Sequence, residues 1–223
     1  MAGESSGMKT YAVKEAYVTL QGEGAQTGRA AVFLRFAGCN LWSGRERDRA
    51  TAICNFCDTD FIGTNGENGG KLVGAKALAA HVSKVWAEAS PEGGKPYVIC
   101  TGGEPLLQLD ADAIKALKSE GFEIGIETNG TLVAPANLDW ICVSPKANAA
   151  LKQVTGNELK LVFPQDEDEA HPSKFESLQF EHFFLQPKDD TAHAQNIAAA
   201  AAYCMKHPKW RLSLQTHKLI GLP

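Results

Sequence analysis

"KPYVICTGGEPLLQLDADAIKALKSEGFEIGIETNG" (residues 95–130) decides the fold of this 223-residue chain. It opens on an apolar strand over 95–105 that breaks into a Gly-Gly turn. A helix follows over 110–121, with Asp110 and Asp112 at its start and Gly121 at its stop. Acidic residues favour the positive end of a helix dipole, and glycine favours the stop. "FEIGIETNG" (122–130) is a second strand and turn. Strands alternating with helices imply a parallel sheet, either an open α/β layer or a barrel.

The alternation extends outward. "AAVFLRFAG" (30–38) is read as the first strand. "KLVGAKALAAHVSKVWAEAS" (71–90) carries Leu78, Val82, Val85 and Trp86 at helical spacing. "LDWICVSPK", "NELKLVFP" and "HFFLQPKD" are further apolar runs, each interrupted by proline. "TAHAQNIAAAAAYCMKH" (191–207) predicts a helix and "KWRLSLQTHK" (209–218) a last strand. "NGENGGK" (65–71) reads as a mobile surface loop. No repeat or long linker divides the chain, so 8–223 reads as a single domain and Met1–Gly7 as an extended leader. The turns TGGEP, ETNG, SPK and QPKD each follow a strand. In a parallel α/β fold the carboxyl ends of strands share one face, so these distant turns are expected at one site.

Composition narrows the function. With 22 Lys and Arg against 26 Asp and Glu, the formal charge is −4, which argues against broad attraction to nucleic acid or anionic membrane. No apolar run reaches the ~18 residues of a membrane span, and the start lacks the apolar core of a signal peptide. The expectation is a cytoplasmic protein. A chain of this length also argues against a small secreted disulfide scaffold. Cys100, Cys142 and Cys204 sit in apolar surroundings and read as small buried hydrophobes.

The other three cysteines lie in "GCNLWSGRERDRATAICNFCDTD" (38–60), spaced C-x14-C-x2-C. On spacing alone, zinc and an iron–sulfur cluster both stand open. A closed zinc site needs a fourth ligand, and the next donor, His81, falls within a helix. Three thiolates alone suit a cubane that keeps one iron free.

Phe56 before Cys57, and the turn TGGEP after the next strand, resemble the radical S-adenosylmethionine (radical SAM) superfamily. Its usual motif is C-x3-C-x2-C. Lengthening the first gap to fourteen residues costs only ~1.5 kcal/mol of loop-closure entropy. More closely, "LQGEGAQTGRAAVFLRFAGCN", "CDTDF", "TGGEPLLQ", "ETNG", "SPK", "LQPKD" and "QTHKLIGLP", in this order, resemble the 7-carboxy-7-deazaguanine synthase family, some members of which carry the long loop.

The resemblance implies a shortened, open β/α barrel of about six mostly parallel strands with an extended cluster loop. It implies ring contraction of 6-carboxy-5,6,7,8-tetrahydropterin to 7-carboxy-7-deazaguanine with loss of ammonia, in queuosine-precursor biosynthesis. It implies a [4Fe-4S] cluster on Cys39, Cys54 and Cys57, S-adenosyl-L-methionine, and Mg2+ on Thr59. Cofactor contacts would come from Phe56, Cys57, Asp58, Gly103, Ser144, Pro145, Lys146, Gln186, Pro187, Lys188 and Asp189. Substrate contacts would come from Leu20, Gln21, Gly22, Glu23, Arg35, Thr101, His217 and the chain end at Pro223, with Gln215 and Asn129 nearby. A carboxylate and an amide suit the donor-rich edge of a pterin. Arg35 suits a substrate carboxylate or, equally, a local acid. A flavodoxin-type or chemical reductant and a homodimer complete the implied picture. Two rivals stand beside it: a glycyl-radical activating enzyme, and a zinc-binding interaction module.

Overall fold

In the computed structural model, residues 8–89 and 92–223 are described; the leader expected at 1–7 lies outside them. Three elements carry out the alternation read from residues 95–130. They are strand β4 (Tyr97–Gly102), helix α2 (Ala111–Ser119) and strand β5 (Glu123–Thr128). Asp110 caps α2, its Oδ1 accepting from the Ala113 amide at 2.9 Å. Gly121 takes φ +87 just past its end, the left-handed conformation that suits glycine at a helix stop.

Before this unit come β1 (Thr10–Leu20), β2 (Ala30–Phe36), β3 (Gly70–Val73) and helix α1 (Ala75–Glu88). After it come β6 (Trp140–Val143), β7 (Thr155–Phe163), β8 (Gln179–Pro187), helix α3 (His193–Lys206), β9 (Trp210–Leu212) and the short helix α4 (Thr216–Leu219). Among the described residues the strands form one nine-stranded sheet in the order β3-β1-β2-β4-β5-β6-β7-β8-β9. From β2 to β9 all pairings are parallel. β1 pairs antiparallel with both β2 and β3. The order does not close on itself, so the sheet is a partial barrel, with more strands than the six expected.

Four expectations are corrected. The first strand is β1, not the 30–38 segment. A register shift between Val13 and Glu15 interrupts its alternation, and Lys14 points inward to Asp60, Ile62 and Asn65. The helix read over 71–90 starts only at Ala75, because Gly74 at φ +85 separates it from β3. The 65–71 loop is tied down on β1: Ala16 donates to the Glu67 carbonyl at 2.8 Å and Asn68 Nδ2 to the Ala16 carbonyl at 2.9 Å. At the chain end, the predicted strand shortens to β9 and gives way to α4.

Side chains two apart on a strand share a face. Val32, Leu34 and Phe36, Val98 and Cys100, and Ile124 and Ile126 face outward, under Leu78, Val82 and Val85 of α1 and Ile114 and Leu117 of α2. Each such side chain contributes about 1.5–3 kcal/mol on burial. A second cluster joins Leu159, Leu161, Phe183 and Leu185 to Ala200 of α3 and to Trp210. The intervening residues, Arg35, Thr101, Glu127, Lys160 and Gln186, line the opposite, concave face. No helix among the described residues is long and apolar enough to cross a membrane.

Candidate active site

A cavity of about 420 Å³ opens at the carboxyl ends of the parallel strands. Cys39 follows β2, and the stretch from Cys54 to Thr59 closes over it; all three cysteines line the cavity. The neighbouring Cys54 thiol holds Cys57 down to about 6, helped by the Thr59 amide and opposed by burial. The same neighbour, with burial, acts the other way on Cys54 and pushes it up. Of the two, Cys57 gives up its proton more readily, and the thiolate is the form that binds metal.

The described group that gathers three ligand atoms within 4.8 Å is Glu127, Cys142 and Glu158, not the three cysteines. A tetrahedral zinc with Zn–S near ~2.3 Å would draw sulfurs closer than this. His81 is no ligand either: it lies on α1 with Nε2 on the Asn68 carbonyl at 2.7 Å.

The TGGEP turn is docked on the first cysteine. Gly102 has φ +142, and a Cβ on Gly103 would meet the Gly38 carbonyl oxygen at 2.2 Å and Cys39 Cβ at 2.7 Å. The glycines thus admit the backbone of the cluster loop. Glu104 is 0% exposed. It accepts from the Leu106 amide (2.9 Å), Thr128 Oγ1 (2.8 Å) and the Asn129 amide (2.8 Å). Burial raises its carboxyl above the usual range despite these donors.

Strand register explains the charged floor. Glu127 pairs with Cys142, and Cys142 with Glu158, across three parallel strands. Lys160, two residues on from Glu158, contacts Glu23 at 2.6 Å and Glu127 at 2.9 Å. Burial would lower the Lys160 ammonium, but Cys142 and the surrounding carboxylates hold it well above the lysine range. Burial likewise works against Glu23, but Lys160 holds its carboxyl below the usual value. Glu158, buried and beside Glu127, is pushed up. Cys142 is thus buried among carboxylates, not in the apolar setting expected of it. The sequence reading missed Glu127, Glu158 and Lys160 as a group.

The last segment forms the remaining wall. Thr216 donates to the Gly22 carbonyl through its amide (2.9 Å) and Oγ1 (3.0 Å). Gln215 donates to Glu23 at 2.9 Å. A Cβ on Gly22 would meet His217 Nδ1 at 1.9 Å, so only glycine permits this approach. Lys218 bridges Asp58, at 3.0 Å, and Asp189. Its hydrogen bond outweighs the burial of Asp58 and lowers that carboxyl. Burial also lowers His217.

Most of the sequence-predicted residues meet here. The lining includes Leu20, Gln21, Glu23, Arg35, Phe56, Asp58, Thr59, Thr101, Gly103, Ser144, Lys146, Gln186, Pro187, Lys188, Asp189, His217 and Pro223, with Asn129 and Gln215. Pro145 and Gly22 stand outside that lining. Pro145 is buried beside it, and Gly22 backs His217. Arg35 lines the cavity and pairs with a local acid, Glu15, at 2.7 Å.

Residues 48–153 match the Radical SAM superfamily. The chain is 60% identical over 214 residues to 7-carboxy-7-deazaguanine synthase of Caulobacter vibrioides, across 96% of this chain and 100% of that one. It is 58% identical over 213 residues to the synthase of Bordetella pertussis, across 96% and 99%. A crystal structure of QueE from Escherichia coli shares the fold, with a TM-score of 0.66 at 24% identity over 92% of this chain and 93% of that one. Since such identity spans the full length of a relative so named, the chain belongs to the 7-carboxy-7-deazaguanine synthase family, within the radical SAM superfamily.

Proposed function

We propose that this chain converts 6-carboxy-5,6,7,8-tetrahydropterin into 7-carboxy-7-deazaguanine with release of ammonia. One observation supports this above the others. Three cysteines, a glycine turn and a buried charged floor drawn from across the sequence line a single cavity. Family membership disfavours both a glycyl-radical activating enzyme and a zinc-binding interaction module.

The donor set fits a [4Fe-4S] cluster. Cys39, Cys54 and Cys57 would hold it, and among the described residues no fourth cysteine lines the cavity, which would leave one iron for S-adenosylmethionine. When bound, the pair supplies one-electron cleavage of the S–C5′ bond and hence a 5′-deoxyadenosyl radical. Phe56 and Asp58 would contact the adenine of S-adenosylmethionine, and Gly103, Ser144, Pro145 and Lys146, with the Gln186-Pro187-Lys188-Asp189 turn, would hold the rest of that cofactor. Gln21, Glu23 and Glu127 offer acceptors to the pterin edge. Arg35 offers a cation to its carboxylate, beside Leu20, Thr101, His217 and Pro223. Orphaned buried polar atoms support a ligand here: among the described residues Gln186 Nε2 and Oε1 and Gln215 Oε1 have no partner, and such groups need one. The electron would come from a flavodoxin-type protein, for which a chemical reductant substitutes in vitro, and the working unit would be a homodimer.

An anaerobic assay with the carboxypterin, S-adenosylmethionine, Mg2+ and reductant tests the reading. The expected products are 7-carboxy-7-deazaguanine and ammonia; an unchanged pterin overturns it.

Thr59 is the proposed Mg2+ ligand, with substrate oxygens and water filling the shell, as Mg2+ favours. Its hydroxyl lies 3.5 Å from Asp58 Oδ1. Thr59→Ala is expected to raise the Mg2+ concentration for half-maximal activity about tenfold, or ~1.4 kcal/mol, with cofactor affinity unchanged. An Mg2+ activation curve matching the parent would reduce Thr59 to a turn residue.

The chain end is fastened to the same wall, with the Leu222 amide on the His217 carbonyl at 2.9 Å and Pro223 lining the cavity. Removing Leu222 and Pro223 is expected to raise the KM for the pterin roughly tenfold while leaving cofactor binding intact. Unaltered steady-state kinetics would take the chain end out of the site.

A further inference from the structure

The fourteen residues between Cys39 and Cys54 are not a free loop. The Ile53 and Cys54 amides donate to the Leu41 carbonyl at 3.2 and 3.4 Å, and the Leu41 amide lies 3.4 Å from Cys39 Sγ. Residues Glu46–Thr51 wind into a 3-10 turn. From this turn one side chain reaches back. Arg49 Nη1 donates to the Asn55 carbonyl at 2.9 Å and the Cys57 carbonyl at 3.0 Å. Its guanidinium carbon lies 4.2 Å from the Trp42 ring centroid. Its Nε meets both carboxylate oxygens of Glu46 at 2.8 and 2.9 Å. Trp42 is itself buried and packs edge-on against Phe61 at 5.6 Å. A single cation therefore joins the insert, a buried aromatic anchor and the short turn that carries Cys54 and Cys57.

We propose that Arg49 is a positioning residue for the cluster. It holds the Cys54-x2-Cys57 turn in register with Cys39, and its positive charge, which the solvent-screened Glu46 carboxylate offsets only in part, raises the reduction potential of the cluster these cysteines bind. The proposal rests on the assignment of Cys39, Cys54 and Cys57 as cluster ligands. Two physical arguments carry it. Hydrogen bonds and charge around a cluster set its potential, and a cation favours the reduced, more negative state. The planar guanidinium donates to two carbonyls while stacked on an indole, an arrangement that a lysine ammonium cannot reproduce. The insert would thus act as a brace that compensates for its own length.

The test compares anaerobically reconstituted wild type, Arg49→Gln, Arg49→Lys and Arg47→Gln. Arg47 is the control, because its side chain is 72% exposed and pairs only loosely with Asp48, at 3.6 Å. The readouts are iron and acid-labile sulfide per chain, the midpoint potential from EPR-monitored reduction, and the rate of iron loss to a chelator. Arg49→Gln should shift the midpoint to more negative values and lose iron about tenfold faster, a change worth ~1.4 kcal/mol. Arg49→Lys should recover part of the midpoint shift but not the slower iron loss. Arg47→Gln should match wild type. A wild-type midpoint and iron-loss rate in Arg49→Gln, or an equal shift in Arg47→Gln, overturns the proposal. Should Arg49→Gln fail to fold, Arg49→Lys decides: wild-type iron retention there overturns the brace. Wild-type protein that takes up no iron–sulfur cluster overturns the ligand assignment and this proposal with it, whereas a normal wild-type cluster with unaffected Arg49 variants sinks the proposal alone.

Discussion

Cys54→Ala is expected to abolish reductive cleavage of S-adenosylmethionine, by at least roughly 10³-fold or ~4 kcal/mol of barrier, while the chain stays folded. Cys54 is buried at 6% exposure, so losing its sulfur removes a small side chain from a loop and leaves both hydrophobic clusters untouched. It also removes the neighbouring thiol that lowers Cys57, so two of the three thiols are affected at once. Cys100→Ala is the matched control. Cys100 lies beneath the helices in the main core, and its loss should cost about 1 kcal/mol of stability with cluster content unchanged. Anaerobic iron and sulfide analysis with a 5′-deoxyadenosine assay reads both variants. Undiminished cleavage in Cys54→Ala would contradict its role as a ligand.

Glu104→Ala should produce the largest loss of stability, about 3–5 kcal/mol. Its carboxylate is the acceptor for three donors, two of them backbone amides. Truncation strands these donors in a buried region, where each unsatisfied group costs about 1–3 kcal/mol. Two elements then loosen together: the turn after β4, and the end of β5 at Thr128 and Asn129. Glu104→Gln is expected to fall between, because an amide keeps one acceptor and turns its NH2 toward a donor. Urea unfolding monitored by circular dichroism measures both. A loss below about 1 kcal/mol for Glu104→Ala would show that water or a rearranged turn satisfies the donors.

The parallel half of the sheet was legible because its strands are short apolar runs ending in glycine, proline or Asn-Gly. The strand-end turns, and with them the cavity, followed from topology. β1 was not legible. Its inward-facing Lys14 and the register shift beside it erase the alternation, and only contacts to Asp60, Ile62 and Asn65 make that lysine acceptable in the interior. The charged floor was missed for a related reason. In "NELKLVF", Glu158 and Lys160 look like the solvent side of an ordinary strand. Yet parallel sheets are usually covered on both faces, so opposite charges two residues apart on such a strand were a signal of an enclosed polar site. The buried carboxylate neighbours of Cys142 show the complementary limit: surroundings in sequence do not reveal surroundings in space.

The hydrogen bonds from Thr216 to Gly22 span 194 residues of sequence, and the one from Gln215 to Glu23 spans 192. Contacts this remote pay their loop-closure entropy late, after nearer pairings have formed. The sheet and its two apolar clusters are therefore expected to assemble before the final wall does. During that interval the cysteine-bearing loop would face a basin still open on the side that the last segment later walls off. Maturation and closure would then be successive events in the life of one molecule, and the seam between residues 22 and 216 is where the second begins.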